Sequence, residues 1–599
     1  MDSAIGDKPR SGNAVNWELV ASCKDFPLMG QRLIRCGIAK GKGGRVPSEL
    51  DRRYDEILEG LTGPGGRLVI GKDDRGQAIV SNFPATIPTL LRTFCALNAQ
   101  AEALVSGDER FTFAQLDEIS ERVAHGLVRR GITKGDRVAI AMRNCPSWIV
   151  GYMGIVKAGA IATLLNGWWE AHEMEHAIRL TEPRLILADA PRAKRIADRC
   201  SDIEIMGLPV DLPIAQALGE LLSDETPAEL PEIAPEDDAT ILFTSGSTGD
   251  SKGALSTHRA VTTATYAYST GLMVLLTVLT NDGNAPESPP RTLLSVPLFH
   301  VTGEVPVMLN SFVVSRCMVV MPKWDAGEAL RLIENEKITY FVGVPTMSLE
   351  LMTHPDRHKY DLSSLRDITA GGAPRPTSHV ERLKSEFPGA QPALGYGLTE
   401  TNAAGFSNFW GNYAEKPAST GRAQVPYIEA AIIGAGDKHL PIGQVGEIAI
   451  RGAVNIKGYW RNPEATRALF TDDGYVRTGD IGYLDEDGYL FIVDRKKEII
   501  IRGGENISAA EVEAECYACT DVAEVSVFGA ADERLGEVPI AIVYPREGAV
   551  MSEEILRKFL EGRIARFKVP DRIFVSTEPL PRLGTGKIDR RALKAQYAH

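Results

Sequence analysis

The chain has 599 residues, room for about four domain-sized units at roughly 150 residues each and so for a large buried core. Asp and Glu number 79 against 66 Lys and Arg, a formal charge of −13. That balance argues against non-specific binding to nucleic acid or to an anionic membrane surface, both of which need clustered positive charge. Hydrophobic residues at 44% with 24% charged describe an ordinary globular protein, neither disordered nor membrane-spanning.

Residues 1–82 read as a loop-rich N-terminal extension with glycine-rich stretches at 40–45 and 62–67 and no chemistry-bearing cluster. The start has no basic-then-apolar targeting pattern and the end, YAH, is no retention tail. From about residue 112, short β-rich apolar runs alternate with amphipathic ones, beginning with RVAIAM (137–142), a helical pattern over 146–160, and IATLLN (161–166). Further runs at 184–189, 240–244, 292–297, 318–322 and 339–345 extend this to an α/β body built on doubly wound, mainly parallel sheets. The longest apolar run, 271–279, is about half a bilayer span, so no integral membrane segment is expected.

Beyond residue 420, close-set turns (TDDGY, DEDGY) between short β-rich runs suggest an antiparallel or barrel-like piece. The last hundred residues restart with EVSVFGA, IAIVYPR, a helical pattern over 553–565 and RIFVST, a small α+β domain. The divisions expected are 1–82, a large domain 83–495, and a small mobile C-terminal domain 496–599. The eight cysteines are scattered, which points to a reducing, cytoplasmic setting rather than a disulfide framework. The CxxC of Cys516 and Cys519 falls on a helical pattern with no second ligand pair, so it reads as helix packing.

The densest chemical signal is TSGSTGDSKG (244–253) after the strand-like TILF. Thr244, Ser245, Gly246, Ser247, Thr248 and Gly249 offer backbone N–H groups and hydroxyls to phosphate oxygens, and Lys252 offers positive charge. The spacing is not that of a Walker A loop. On these residues alone, a plain Ser/Gly surface loop remains the competing reading.

Eight more motifs follow in order: PLFHVTG (297–303), TAGGAPRP (369–376), GYGLTET (395–401), GEIAIRG (446–452), VRTGD (476–480), VDRKKE (493–498), GGENIS (503–508) and LGTGKIDR (583–590). With them, the chain from residue 83 onward resembles the adenylate-forming superfamily of acyl- and aryl-CoA synthetases, luciferases and peptide-synthetase adenylation domains. The resemblance implies that a carboxylate attacks the α-phosphate of ATP to give acyl-AMP and pyrophosphate, after which a thiol, that of coenzyme A, takes the acyl group. Two anions meet in the first step, so the protein has to supply positive charge and positioning.

By the same resemblance, Lys587 is the catalytic lysine bridging carboxylate and α-phosphate, Thr399 bonds the α-phosphate and Glu400 serves Mg²⁺. Asp480 accepts from the ribose hydroxyls and Arg495 reaches the same sugar. Gly372, Ala373, Pro374, Tyr396 and Gly397 hold adenine, although Tyr396 also fits plain core packing. His300, Gly371 and Gly395 line the acid pocket, with a core histidine as the other reading of His300. Lys497 is the hinge between an adenylating pose, with Lys587 inserted, and a thioester-forming pose that brings Gly503 and Gly504 to the site. Lys568 is a CoA phosphate contact or a solvated basic residue.

Two departures stand out: Ser251 replaces the proline common before Lys252, which predicts a looser loop, and Glu498 replaces the common aspartate after the hinge lysine. No acidic residue takes the place of His300 as in amino-acid-activating domains. The expected activity is therefore an ATP- and Mg²⁺-dependent ligase joining a hydrophobic fatty or aryl-alkyl acid to coenzyme A. An acyl-AMP ligase loading a carrier protein and a non-catalytic nucleotide-binding relative are the alternatives. Partners are small molecules, with no nucleic acid and a homodimer left open.

Overall fold

A computed structural model describes residues 47–224, 226–244, 251–373, 375–502, 505–583 and 587–598. Among them, a seven-stranded sheet runs in the order Gly458–Tyr459, Lys252–Thr257, Asp238–Thr244, Ile161–Leu164, Arg137–Ala141, Leu185–Asp189, Ile205–Leu208. The last five pair in parallel, whereas Lys252–Thr257 turns back antiparallel on Asp238–Thr244. The first strand–helix–strand unit lies where apolar periodicity predicts, with helix Pro146–Lys157 between Arg137–Ala141 and Ile161–Leu164. All of that helix is buried, Trp148 and Tyr152 fully, so it is apolar on every face rather than along one stripe.

A second, thirteen-stranded sheet is parallel from Glu102–Ser106 through Cys317–Val320, Arg291–Leu294, Tyr340–Gly343 and Asp367–Gly371 to Gln391–Gly397. Beyond that strand it is antiparallel. The turn-rich region after residue 420 thus continues this sheet. Its strands are joined by tight hairpins, which is why glycines with positive φ, such as Gly488 at 79°, punctuate it.

The segment ahead of residue 82 is not all loop. Glu49–Thr62 is a helix capped by Ser48, whose hydroxyl accepts from Asp51 N at 2.9 Å. Its Asp51 is only 7% exposed and takes hydrogen bonds from Asn412 Nδ2, Arg422 Nη1 and Tyr489 OH, each at 3.0 Å. Breaking such a buried charge network by removing one partner costs about 3 kcal/mol, so this helix is a structural part of the large domain.

Among the described residues one helix, His258–Asn281, is long and apolar enough to cross a membrane, and 67% of its apolar window is buried inside the protein. The C-terminal sheet joins Glu505–Ile507, Ile500–Arg502, Gly536–Pro545 and Val522–Asp532, with Arg572–Val575 parallel to Gly536–Pro545. Helix Ala509–Tyr517 packs on it through Val512 and Cys516, and Cys519 is buried in the same core. Ser508 caps this helix by accepting from Glu511 N at 3.1 Å, while the Glu511 carboxylate pairs with Lys568.

Candidate active site

On either side of residues 245–250, Thr244 and Lys252 sit opposite each other in the antiparallel pair. Ser245, Gly246, Ser247, Thr248 and Gly249 lie outside the described residues, as does Pro374. The loop's exit is held from a neighbouring helix, where the His176 Nε2 lies 3.1 Å from the Ser251 carbonyl. Lys252 Nζ rests 5.0 Å from the centre of the Tyr459 ring, and the Tyr459 hydroxyl donates to Glu400 Oε1 at 2.7 Å.

Thr399 and Glu400 occupy a single 3₁₀ turn, Thr399–Thr401, at the end of strand Gln391–Gly397. The next two residues, Asn402 and Ala403, have φ of 50° and 66°, a left-handed pair unusual outside glycine. Asn402 is held there by Ser256, whose hydroxyl donates to Asn402 Oδ1 at 2.9 Å, and by its own Nδ2 donating to the Val454 carbonyl at 2.8 Å. Strain of this sort persists only where surrounding bonds enforce it; here those bonds aim the Glu400 turn at the Lys252 hairpin.

On the other side, Gly371 and Gly395 are paired in adjacent parallel strands. A Cβ at Gly395 would meet nothing within 4 Å, so the sheet opens onto free space there. Gly397 is different: a Cβ would fall 1.9 Å from the Ala403 carbonyl oxygen, so close backbone approach requires glycine. Tyr396 donates its hydroxyl to Asp480 Oδ2 at 2.6 Å, and burial together with that carboxylate pushes the phenol well above its usual range. Asp480, 3% exposed, receives Arg495 Nε on Oδ1 at 3.1 Å; the two are register partners in neighbouring strands.

Lys587 comes from the C-terminal domain and lies over Gly372, where a Cβ would stand 3.6 Å from its Cε and 4.0 Å from its Nζ. Gly372 has φ of 75°, and Ala373 follows it in the same turn. Lost hydration, then the Arg495 charge, lower the ammonium to about 8 against the opposing pull of Asp480 and Glu498. Burial and the Lys587 charge push His300 down to about 3. Its Nδ1 accepts from Thr302 N at 3.3 Å, which leaves the proton of the neutral ring on Nε2. One neighbourhood thus collects Lys587, Gly372, His300, Asp480, Arg495 and Tyr396.

Lys497 is exposed on the short connection between strands Tyr489–Arg495 and Ile500–Arg502. Beside it, Lys496 Nζ meets Glu447 at 2.9 Å, and Glu498 pairs with Arg590, just beyond Lys587. Arg590 also reaches Glu513 at 2.7 Å. Lys568 stands apart, with Nζ 2.7 Å from both oxygens of Glu511, and Gly503 and Gly504 lie outside the described residues. Sequence reasoning missed Tyr459, although GYW at 458–460 placed an aromatic pair beside a glycine in a turn-rich stretch. It also missed Asn402, whose only trace was its place next to the TET motif.

The family description "AMP-binding enzyme" matches residues 91–460, and "AMP-binding enzyme C-terminal domain" matches 511–587. The chain belongs to the AMP-binding enzyme family. This member is 32% identical over 542 residues to a long-chain-fatty-acid–CoA ligase of Bacillus subtilis, covering 85% of this chain and 94% of the relative. It is also 32% identical over 504 residues to a feruloyl-CoA synthase of an Amycolatopsis species, covering 84% and 97%. Among solved structures, ATP-bound MatB of Rhodopseudomonas palustris superimposes with a TM-score of 0.76 at 28% identity, over 85% of this chain and 99% of that one.

Proposed function

We propose that this AMP-binding enzyme joins a hydrophobic carboxylic acid to coenzyme A at the site around Lys587. It is an ATP-dependent, AMP-forming acid–CoA ligase, and neither carrier loading nor a non-catalytic role is favoured. The observation that carries the assignment of the site is Lys587 over Gly372, partly buried in the same field as Asp480, Arg495 and His300.

In the first half-reaction a carboxylate oxygen of the acid attacks the α-phosphorus of ATP. The bond to the bridging oxygen breaks, pyrophosphate leaves and acyl-AMP forms. Lys587 neutralises the two approaching anions, and the neutral His300 presents Nε2–H at the acid. Asp480 accepts from the ribose hydroxyls while Tyr396 and Arg495 fix its orientation, and Gly372 and Ala373 let the nucleotide pass close to the backbone. Lys252 and Thr244 flank the departing phosphates, and Thr399 bonds the α-phosphate. Glu400, a single hard carboxylate, suits Mg²⁺, an ion that takes its other ligands from substrate phosphates and water. When bound, that ion supplies charge for the pyrophosphate.

In the second half-reaction the CoA thiol, losing its proton, adds to the acyl carbonyl and AMP departs, leaving a thioester. Lys497 is the hinge that carries Lys587 away for that step, with Gly503 and Gly504 taking its place. Among the described residues six cysteines are free and all are buried, which supports a reducing, cytoplasmic setting. The test is pyrophosphate release from ATP·Mg²⁺ across fatty and aryl-alkyl acids, with and without CoA, following the product by mass. A thioester that needs both a hydrophobic acid and CoA is expected; acyl-AMP accumulating with no CoA-dependent turnover would overturn the reading.

A further inference from the structure

Glu304 is buried without exposure four residues after His300. It belongs to Gly303–Leu309, a π-helical stretch interrupted by Pro306 in which every residue is buried. Such turns are rare and recur at functional sites. The Glu304 N–H donates to the His300 carbonyl at 3.1 Å, and Gly303 packs so tightly that a Cβ would fall 2.2 Å from the Pro297 carbonyl oxygen. The backbone that places the carboxyl relative to the imidazole is therefore fixed.

Only half of this carboxyl is satisfied. Oε1 accepts from the Tyr152 hydroxyl at 2.8 Å, while Oε2, equally buried, has no hydrogen-bond partner. Tyr152 stacks on Trp148 with centroids 5.7 Å apart, and the Trp148 Nε1–H is a second buried polar group with no partner. Among the described residues no cation pairs with Glu304, and burial raises it to about 7. A leucine or methionine would fill an apolar turn without the desolvation penalty of an unpaired oxygen. The rest of the turn, Val305 to Leu309, is otherwise apolar apart from the backbone.

We propose that Glu304 is a specificity residue that selects carboxylic acids carrying a hydroxyl or amino donor on their apolar body, the donor completing Oε2. The inference rests on the ligase reading, in which His300 marks the carboxylate end of the acid. The Glu304 N–H to His300 carbonyl bond at 3.1 Å sets the two residues one turn of backbone apart. The donor therefore belongs about one helical turn beyond the reacting carboxylate, on a body long enough to reach it. A site built to hydrogen-bond such a group discriminates far more strongly than an apolar wall does, because the unsubstituted acid leaves the carboxyl unpaired.

The experiment compares matched acids whose donor sits about one helical turn from the carboxylate: para-hydroxyphenylacetate against phenylacetate, and 6-hydroxydecanoate against decanoate, each with its amino counterpart. It reads equilibrium binding to the full ATP-free chain and kcat/KM for pyrophosphate release, in wild type, Glu304→Leu and Glu304→Gln. Wild type should favour the donor-bearing member of at least one pair about tenfold or more in both readouts. Glu304→Leu should erase or reverse that preference by strengthening binding of the unsubstituted acid, and Glu304→Gln should retain part of it. Unchanged ATP binding reports an intact fold, and if the leucine variant does not fold, the glutamine variant carries the test.

Preference confined to hydroxyl members names a neutral donor as the natural group, and preference confined to amino members names a cation. Wild-type indifference, or a Glu304→Leu variant that weakens both members equally with the preference intact, would overturn the proposal. Binding preference without turnover of any acid would count against the ligase reading and leave this one standing.

Discussion

The corner proposed for the nucleotide and the corner proposed for the reaction are built on opposite principles. At the nucleotide corner Asp480 has a partner on each oxygen, from Tyr396 and Arg495, and the supporting Asn402 turn is hydrogen-bonded on both sides. At the reacting corner Lys587 is pushed down to about 8 by lost hydration, His300 down to about 3, and Glu304 keeps an unpaired oxygen. Satisfied polar groups give a rigid frame, and unsatisfied ones hold interaction energy that substrate can release.

The largest effect expected on that contrast comes from Lys587→Ala. Acyl-AMP formation, read as pyrophosphate release, should fall by roughly a thousandfold, whereas CoA transfer from supplied acyl-AMP should stay within severalfold. Equal loss of both half-reactions in a folded variant would dissolve the division of labour between poses. Asp480→Ala comes next and acts at the framed corner: the KM for ATP should rise by roughly a hundredfold through loss of a charged hydrogen-bond acceptor. An unchanged ATP affinity would remove Asp480 from the ribose. The smallest effect belongs to Tyr459→Phe, which deletes one hydrogen bond to Glu400 while keeping the ring under Lys252. About a fivefold drop in adenylation is expected, with no change in CoA transfer.

Much of this arrangement is readable from the chain itself. The strands at Arg137–Ala141 and Leu185–Asp189 fall within a residue of their apolar runs, because strands buried between helices must be continuously apolar. The motifs carrying Lys587, Asp480 and Glu400 are legible through their resemblance to the adenylate-forming superfamily rather than through any local pattern. What stays hidden is pairing across long separations. The Tyr152 and Glu304 partners are 152 residues apart, and Tyr459 and Glu400 are 59 apart. Asp51 lies in the stretch expected to be a loop-rich extension, and its burial comes from Arg422 and Tyr489, 371 and 438 residues away, closing over it. Local periodicity reports which face is apolar, but it carries no information about which distant donor meets a buried acid.

The central claim is that Lys587 works as a partly dehydrated ammonium in the first half-reaction, and the pH dependence of kcat/KM for pyrophosphate release, measured without CoA, tests it most directly. The working form is the cation, which exists below the pKa, so activity should be lost as pH rises through about 8. His300, neutral well above about 3, adds no limb near neutrality, and any limb from Glu304, raised to about 7 by burial, is removed by measuring both profiles in the Glu304→Gln background. In Lys587→Arg the guanidinium stays charged throughout, so whatever activity remains should show no fall through that window. A wild-type profile flat to about pH 10, or the same alkaline limb persisting in Lys587→Arg, would contradict the account.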